Sequence, residues 1–207
     1  MTKVIVVSKT QMKSEYCIGG ILEDGCFVRL LKSDGHNQDT ATIFTVGRWY
    51  DIEYRERLHK RPPHIEDILV LRAIPCEMAS PINLQDFIQS RFSAKIWNGG
   101  ATVLFDGKLK WSASGGAYIN SEAIPEHSVG FWVPNVNLWM KKFADTGKTK
   151  YSYKDGERWY NIPYVGLQDP IPRIPAGTLL RVSLARWWQK DENTEERCYL
   201  QLSGWYI

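Results

Sequence analysis

A hairpin pattern occupies residues 17–31, which read CIGGILEDGCFVRLL. Two mainly apolar runs, Cys17–Leu22 and Cys26–Leu31, are separated by Glu23-Asp24-Gly25. An Asp-Gly pair between two such runs is typical of a tight β-hairpin turn, because glycine readily adopts the positive φ that these turns require. The stretch predicts two antiparallel strands, and it indicates that this part of the chain is built from β-structure.

Strand patterns continue on both sides of this hairpin. In Trp49–Tyr54 the side chains alternate with the period of two that is typical of a strand with one polar face. Apolar runs bounded by turn residues predict further strands at Val4–Ser8 and Glu66–Ile74. Five short strands within about 75 residues fit a small barrel or a sandwich.

The period changes near residue 80, where a helix is predicted at about residues 81–92. Ser80 is a plausible N-cap, Pro81 suits the first helical position, and the apolar residues that follow have helical spacing. We interpret this helix as a connector. The predicted organisation is a first β-domain at 1–78, a helical connector at 79–98 and a second β-domain at 99–207.

The last 80 residues return to β-structure. A strand is predicted at Val129–Val133, and a hairpin is predicted around Lys154-Asp155-Gly156-Glu157. Thr178–Trp188 and Arg197–Ile207 are expected to pair across the polar loop between them. The chain is therefore predicted to be mainly β.

Composition restricts the function only weakly. The formal net charge is +3, aromatic residues make up 13% and nine residues are Trp. Such a surplus of aromatic residues suits strands and also supplies flat binding surfaces. The four cysteines are scattered and are expected to be buried thiols in a reducing cytosol. No apolar run is long enough to span a bilayer, so we predict a cytoplasmic protein without a membrane partner.

Several short motifs together resemble the dual OB-containing domain family. They lie at residues 6–10 (VVSKT), 17–20 (CIGG), 28–31 (VRLL), 61–67 (RPPHIED), 181–186 (RVSLAR) and 198–206 (CYLQLSGWY). The resemblance implies two tandem OB-like small β-barrels joined by a short helix. It also implies a binding role among prokaryotic genes for defence or nucleic-acid handling, and it brings no catalytic signature.

Two basic stretches are candidate nucleic-acid contacts, because OB-folds hold single strands by a basic groove and by aromatic rings under the bases. The first stretch follows a strand, and its candidate residues are Arg55, Arg57, Lys60 and Arg61. The second runs from Trp139 to Tyr160, and its candidate residues are Lys148, Lys150, Tyr151, Tyr153, Lys154 and Arg158. The alternatives are a solvated loop in the first case and rings that fill the second barrel in the other. For Trp159 we expect a place in the core.

The segment Pro63–Asp67 brings His64, Glu66 and Asp67 together, which suggests either a metal site or an acid–base pair. The other histidines show no ligand spacing. The favoured interpretation is structural, with Glu66 or Asp67 either holding a neighbouring arginine or capping a turn. We predict no metal and no cofactor.

Three functions follow from these observations. The first is a non-catalytic module that binds single-stranded DNA or RNA with low sequence specificity. The second is a protein-interaction adaptor in a multi-component system, and the third is a metal-dependent hydrolase or nuclease that uses His64, Glu66 and Asp67. The sequence does not decide between DNA, RNA and a nucleotide as the ligand.

Overall fold

The structure is a computed structural model that describes residues 1–12, 14–92, 96–142 and 147–206. Phe143 and Asp145 of the second basic stretch lie outside the described residues. The chain forms two units. The first contains Met1–Arg61 and Ile65–Lys95, and the second contains Pro62–His64 and Ile96–Ile207.

The first unit is a closed barrel of five strands, in the order β1-β2-β3-β5-β4. The strands are β1 (Thr2–Met12), β2 (Glu15–Leu22), β3 (Phe27–Lys32), β4 (Trp49–Glu56) and β5 (Asp67–Pro75). All ladders are antiparallel except that between β3 and β5, and β4 returns to pair with β1. This is the five-stranded Greek-key arrangement of an OB-type barrel.

Alternation along these strands fills the barrel. Val4 and Val6 of β1, Ile18 of β2 and Leu30 of β3 are at most 1% exposed and belong to one apolar cluster. Glycine is needed where β2 crosses β1, because a Cβ on Gly20 would lie 2.5 Å from a methyl group of Val4. All five predicted strands of this unit are confirmed, each with ends that differ by a few residues from the prediction.

The predicted helix is confirmed, but its start is not at Pro81. Helix α1 spans Leu84–Arg91 and is capped by Asn83, whose Oδ1 accepts a hydrogen bond from the Asp86 N–H at 3.2 Å. Asparagine is a strong N-cap, so it sets the first turn three residues later than Ser80 and Pro81 would. The helix packs inside the first unit through the buried Ile88 and through an edge contact between Phe87 and Trp49.

The second unit contains two sheets. One has the order β12-β11-β10-β13 and the other β6-β9-β14-β15-β8-β7. The strands are β6 (Ile96–Gly99), β7 (Lys110–Trp111), β8 (Ala117–Ile119), β9 (Val129–Pro134), β10 (Leu138–Lys142), β11 (Thr149–Asp155), β12 (Arg158–Pro163), β13 (Arg173–Ile174), β14 (Leu179–Leu184) and β15 (Cys198–Tyr206). A 3₁₀ segment at Ala101–Gly107 follows β6.

The two sheets share one apolar core and form a barrel-like unit. Trp132 of β9, Tyr151 of β11 and Leu202 of β15 are completely buried in the same cluster. The sheets also meet through the backbone, because Tyr164 after β12 bridges Leu202. The prediction of a mainly β chain with two OB-like units is thus confirmed.

Two details of the sequence prediction are wrong. The strand predicted at Thr178–Trp188 ends at Leu184. Beyond it, the Ala185 N–H donates to the Tyr199 carbonyl oxygen at 2.8 Å, and Trp188 forms an isolated bridge with Arg197. None of the four cysteines forms a disulfide. The prediction that they are buried holds for Cys198, whereas Cys26 is exposed at the β2–β3 turn. Within the described residues no helix has the length and apolarity to cross a bilayer.

Candidate nucleic-acid interface

One face of the sheet formed by β10, β11, β12 and β13 carries cations and indoles. In β11, Lys150 and Lys154 point to this face, whereas Tyr151 and Tyr153 point to the core, because side chains alternate along a strand. Directly paired residues of antiparallel strands lie on the same face. The ladders pair Trp139 with Arg173, Lys141 with Lys150, and Lys154 with Trp159. We call these six residues, Trp139, Lys141, Lys150, Lys154, Trp159 and Arg173, the basic–aromatic face.

The two indoles of the basic–aromatic face are open to solvent. Trp139 is 51% exposed and Trp159 is 47% exposed, so the expectation that Trp159 fills the core is wrong. A cation lies over each ring. Lys141 Nζ is 4.1 Å from the Trp159 ring centre, and Arg173 Cζ is 5.8 Å from that of Trp139. Such contacts contribute about 0.5–1 kcal/mol each at exposed sites and restrain the rings.

A groove of about 420 Å³ opens between these indoles. Trp139, Trp159 and Lys154 line it together with Asn135 and Asn137 from the β9–β10 connection. The Asn137 Oδ1 accepts a hydrogen bond from the Ala176 N–H at 2.9 Å, which fixes the orientation of its carboxamide. The groove therefore combines two apolar ring surfaces with polar groups of set direction.

The rings of two predicted contacts, Tyr151 and Tyr153, are buried in the structure. Tyr151 is 0% exposed and offers no ring face to a ligand, which corrects that prediction. Tyr153 is 2% exposed, and a small part of it reaches the lining of the groove. The Tyr151 hydroxyl donates to the Ile171 carbonyl oxygen at 2.9 Å, and the Tyr153 hydroxyl accepts from the Ala101 N–H at 2.6 Å. Burial raises the pKa of both phenols above the ordinary value. These tyrosines support the sheet from below.

The other predicted residues of the second stretch divide between the two sides of the sheet. Lys150 and Lys154 lie on the basic–aromatic face, and the exposed Lys148 immediately precedes β11. Arg158 precedes Trp159 in β12, so it points the opposite way, and its Nη2 donates to the Trp111 and Ser112 carbonyl oxygens. The structure therefore does not bring Arg158 together with the two lysines.

In the first unit, the basic loop is largely engaged in contacts within the chain. Arg57 Nη1 lies 2.9 Å from Asp67 Oδ2, Lys60 pairs with Glu56, and Arg55 donates to the Ser33 carbonyl oxygen at 3.3 Å. Arg61 is exposed.

Asp67 is the centre of a buried ion cluster. It is 1% exposed, and its second oxygen, Oδ1, lies 2.6 Å from Nε of the buried Arg29. Glu66 Oε2 lies 3.7 Å from Nη2 of the same arginine. The interpretation that a carboxylate of this segment holds a neighbouring arginine is confirmed. Two guanidinium groups contact the two oxygens of Asp67, so this carboxylate is an ion-pair partner within the fold.

His64 belongs to the second unit, where its Nε2 lies 3.3 Å from the Leu184 carbonyl oxygen, and it is 1% exposed. In the part of the chain that the structure describes, no three His, Cys, Asp or Glu side chains are grouped as metal ligands would be.

The sequence prediction placed Trp139, Lys141 and Trp159 in the second basic stretch but not among its contacts, and it missed Arg173. The signal for part of the basic–aromatic face was present, because the alternation in residues 150–154 separates the lysines from the tyrosines. Arg173 had no local signal, since it reaches Trp139 only through the pairing of β13 with β10.

The sequence matches a known protein family along nearly its whole length. The family model for the dual OB-containing domain matches residues 2–205. No curated protein matches the sequence.

Several solved structures are similar at low identity. One, "Structural mimicry for functional antagonism", is 15% identical with a TM-score of 0.36, and the match covers 98% of this chain and 91% of that one. Another, "Crystal structure of p204 HINb domain", is 13% identical with a TM-score of 0.32, and the match covers 97% of this chain and 95% of that one. A further one, "Structure of murine DNA binding protein bound with ds DNA", is 12% identical with a TM-score of 0.28, and the match covers 97% of this chain and 91% of that one. With TM-scores under 0.5, these similarities carry no argument about the chain.

Proposed function

The chain belongs to the dual OB-containing domain family, and we propose that it is a non-catalytic module that binds single-stranded DNA or RNA through the basic–aromatic face of its second unit. The observation that carries this proposal is the pair of exposed indoles, Trp139 and Trp159, set among four cations on one side of a sheet. Family membership alone would not support it, because one fold serves many functions.

The chemistry of this face suits a single strand. Exposed aromatic rings stack on unpaired bases, and each stacked base contributes about 1–3 kcal/mol. Lys141, Lys150, Lys154 and Arg173 would attract the phosphates between those bases. A duplex keeps its bases paired and stacked, so it could use only the cations.

Low sequence specificity follows from the same features. Every base has a π-face that an indole can stack on, and phosphates are the same at every position. Glu157 is a carboxylate that contacts this face: its Oε2 lies 3.4 Å from Lys154 Nζ, and both side chains are solvent-exposed. An exposed pair of this kind is weak, so a phosphate can compete for the lysine.

The contact set predicted from sequence changes accordingly. Lys150 and Lys154 stay in the proposed site, and Trp139, Lys141, Trp159 and Arg173 join it. Lys148 lies beside the site, immediately before β11. Arg55, Arg57, Lys60 and Arg61 have a secondary place, because contacts inside the first unit occupy most of them. A prokaryotic defence setting and a cytoplasmic location stay predictions.

A protein-interaction adaptor is the second candidate. Exposed tryptophans are frequent centres of protein interfaces, and an acidic peptide would satisfy the same cations. The two candidates predict different ligands, a nucleic acid in the first case and an acidic peptide in the second. A nucleic-acid titration therefore distinguishes them.

The test is a fluorescence-anisotropy titration of a labelled single-stranded oligonucleotide at about 50 mM and 200 mM salt. If each of the four cations neutralises one phosphate, log K falls with log salt with a slope of about −2.8, which is about a 50-fold loss over this interval. Replacing Lys141 and Lys154 by alanine reduces the slope to about −1.4.

Lys190→Ala is the matched control, because this exposed lysine lies in the β14–β15 connection and in none of the four strands of the face. It keeps the wild-type slope. No binding at low salt, or binding that ignores salt, refutes the proposal.

A further inference from the structure

We propose that the groove between Trp139 and Trp159 holds one unpaired nucleobase, which is turned out of the nucleic-acid strand that lies along the basic–aromatic face. This inference rests on the proposed function and adds to it a single-base site. A strand could bind the cations of the face without inserting any base, so the two statements can fail separately.

The positions of the two indoles fit one ring between them. Trp139 and Trp159 lie two strands apart, and the register offsets them by two residues. With strands about 4.8 Å apart and a rise of about 3.4 Å per residue, their Cα atoms are about 12 Å apart. Aromatic rings in contact have centres about 4.5–7 Å apart. If one base touches both indoles, the centres of the two indole rings are therefore about 9–14 Å apart.

The groove has the size of a small-ligand site. Its volume of about 420 Å³ lies in the lower part of the range of about 300–1,000 Å³ that such sites occupy. It has room for one nucleotide unit and not for a run of stacked bases. The remaining bases of a bound strand would stay outside it, above the sheet.

The lining of the groove is organised before any ligand arrives. Lys141 and Arg173 restrain the two rings, and restrained rings lose less entropy on binding. The Asn137 Oδ1 is held by the Ala176 N–H. Its Nδ2 hydrogens are therefore the groups that it can offer to the edge of a base.

The charge of the surroundings selects the class of ligand. Pairs of exposed aromatic rings can also bind organic cations. Here Lys141 and Arg173 already lie over the rings, and Lys154 lines the groove, so another cation would be repelled. A ring that carries phosphates on either side satisfies both the indoles and the cations.

The experiment compares labelled five-nucleotide probes at low salt: an all-thymidine strand, a fully abasic strand, and an abasic strand with a single central thymidine. We expect the fully abasic strand to bind about 5- to 150-fold more weakly than the all-thymidine strand. The single thymidine restores most of that difference. Trp139→Ala and Trp159→Ala remove the difference between the probes.

Two controls locate the effect in the groove. Trp188 is 52% exposed, as open as Trp139, but it lies beyond the end of β14. Trp188→Ala therefore keeps the wild-type ratio between probes. Lys150→Ala weakens the binding of every probe and also keeps the ratio, and circular dichroism of each variant reports whether the sheet is intact.

The outcomes separate the two statements. If no probe binds, the proposed function fails. If all three strands bind equally, the single-base site is refuted while the proposed function stands. If the single thymidine restores only about a fifth of the difference in binding free energy, bases stack along the whole face, and the single-base site is likewise refuted.

Discussion

Replacing Asp67 by alanine is expected to destabilise the first unit by about 3–5 kcal/mol. Asp67 is 1% exposed and accepts from Arg29 Nε at 2.6 Å and from Arg57 Nη1 at 2.9 Å. Without it, the 8% exposed guanidinium of Arg29 keeps Glu66 as its acidic neighbour, at 3.7 Å. Most of this loss in the free energy of unfolding arises because the buried charge of Arg29 loses its closest partner. The lost hydrogen bonds themselves contribute less.

The assay has to separate the two units. Hydrogen exchange is measured by mass spectrometry across a urea series. Peptides from β3 and β5 report the unfolding of the first unit, and peptides from β14 and β15 report that of the second. With an m-value of about 1–3 kcal/mol/M, the midpoint of the first unit falls by at least about 1 M, and that of the second unit is expected to change little.

Arg57→Ala is the matched variant. The Arg57 side chain is 36% exposed, so its contact with Asp67 is partly screened, and we expect a cost of about 1 kcal/mol. A loss below about 1 kcal/mol in Asp67→Ala would refute the view that this carboxylate anchors the barrel. Arg57 would then again be a candidate nucleic-acid contact, because its guanidinium would not be needed for the stability of the fold.

Two further predictions concern stability. Burial raises the pKa of Tyr153, so the folded state prefers the neutral phenol. The stability that this provides is complete below the unfolded pKa of about 10 and is lost as the pH rises towards the folded value. In urea unfolding of the second unit above pH 10, Tyr153→Phe should lower the pH dependence by about 1.4 kcal/mol per pH unit; an unchanged slope would contradict this. Asn83→Ala should cost the first unit about 0.5–2 kcal/mol through loss of the α1 cap, and Asn83→Ser should restore most of it; equal losses in both variants would show that the cap contributes nothing.

The first barrel could be predicted well because its signals are local. The Asp24-Gly25 turn and the alternation in Trp49–Tyr54 each report on neighbours in sequence, and the strands lie where these signals place them. The Arg29–Asp67 pair could be anticipated only in kind. Which arginine meets the carboxylate depends on the parallel register of β3 and β5, and that register is set by a crossover through β4.

The candidate site could be predicted only in part, for a different reason. The basic and aromatic composition of residues 139–160 located the region, but the prediction treated Lys150 and Tyr151 as neighbours on one surface. Alternation places them on opposite sides of the sheet. The position of Trp139 on the face depends on the register between β10 and β11. The position of Arg173 depends on the pairing of the two-residue strand β13 with β10. Neither can be predicted from the local sequence pattern.

The parallel ladder between β3 and β5 has a consequence for synthesis on the ribosome. It joins residues near 30 to residues near 68, so a nascent chain that ends before β5 holds β1 to β4 with no partner for the free side of β3. Closure waits until about residue 75 has left the exit tunnel. The hairpin of β1 and β2 can form early, but the cooperative barrel is a late event, and translation pauses before that point would prolong the exposure of an open strand edge.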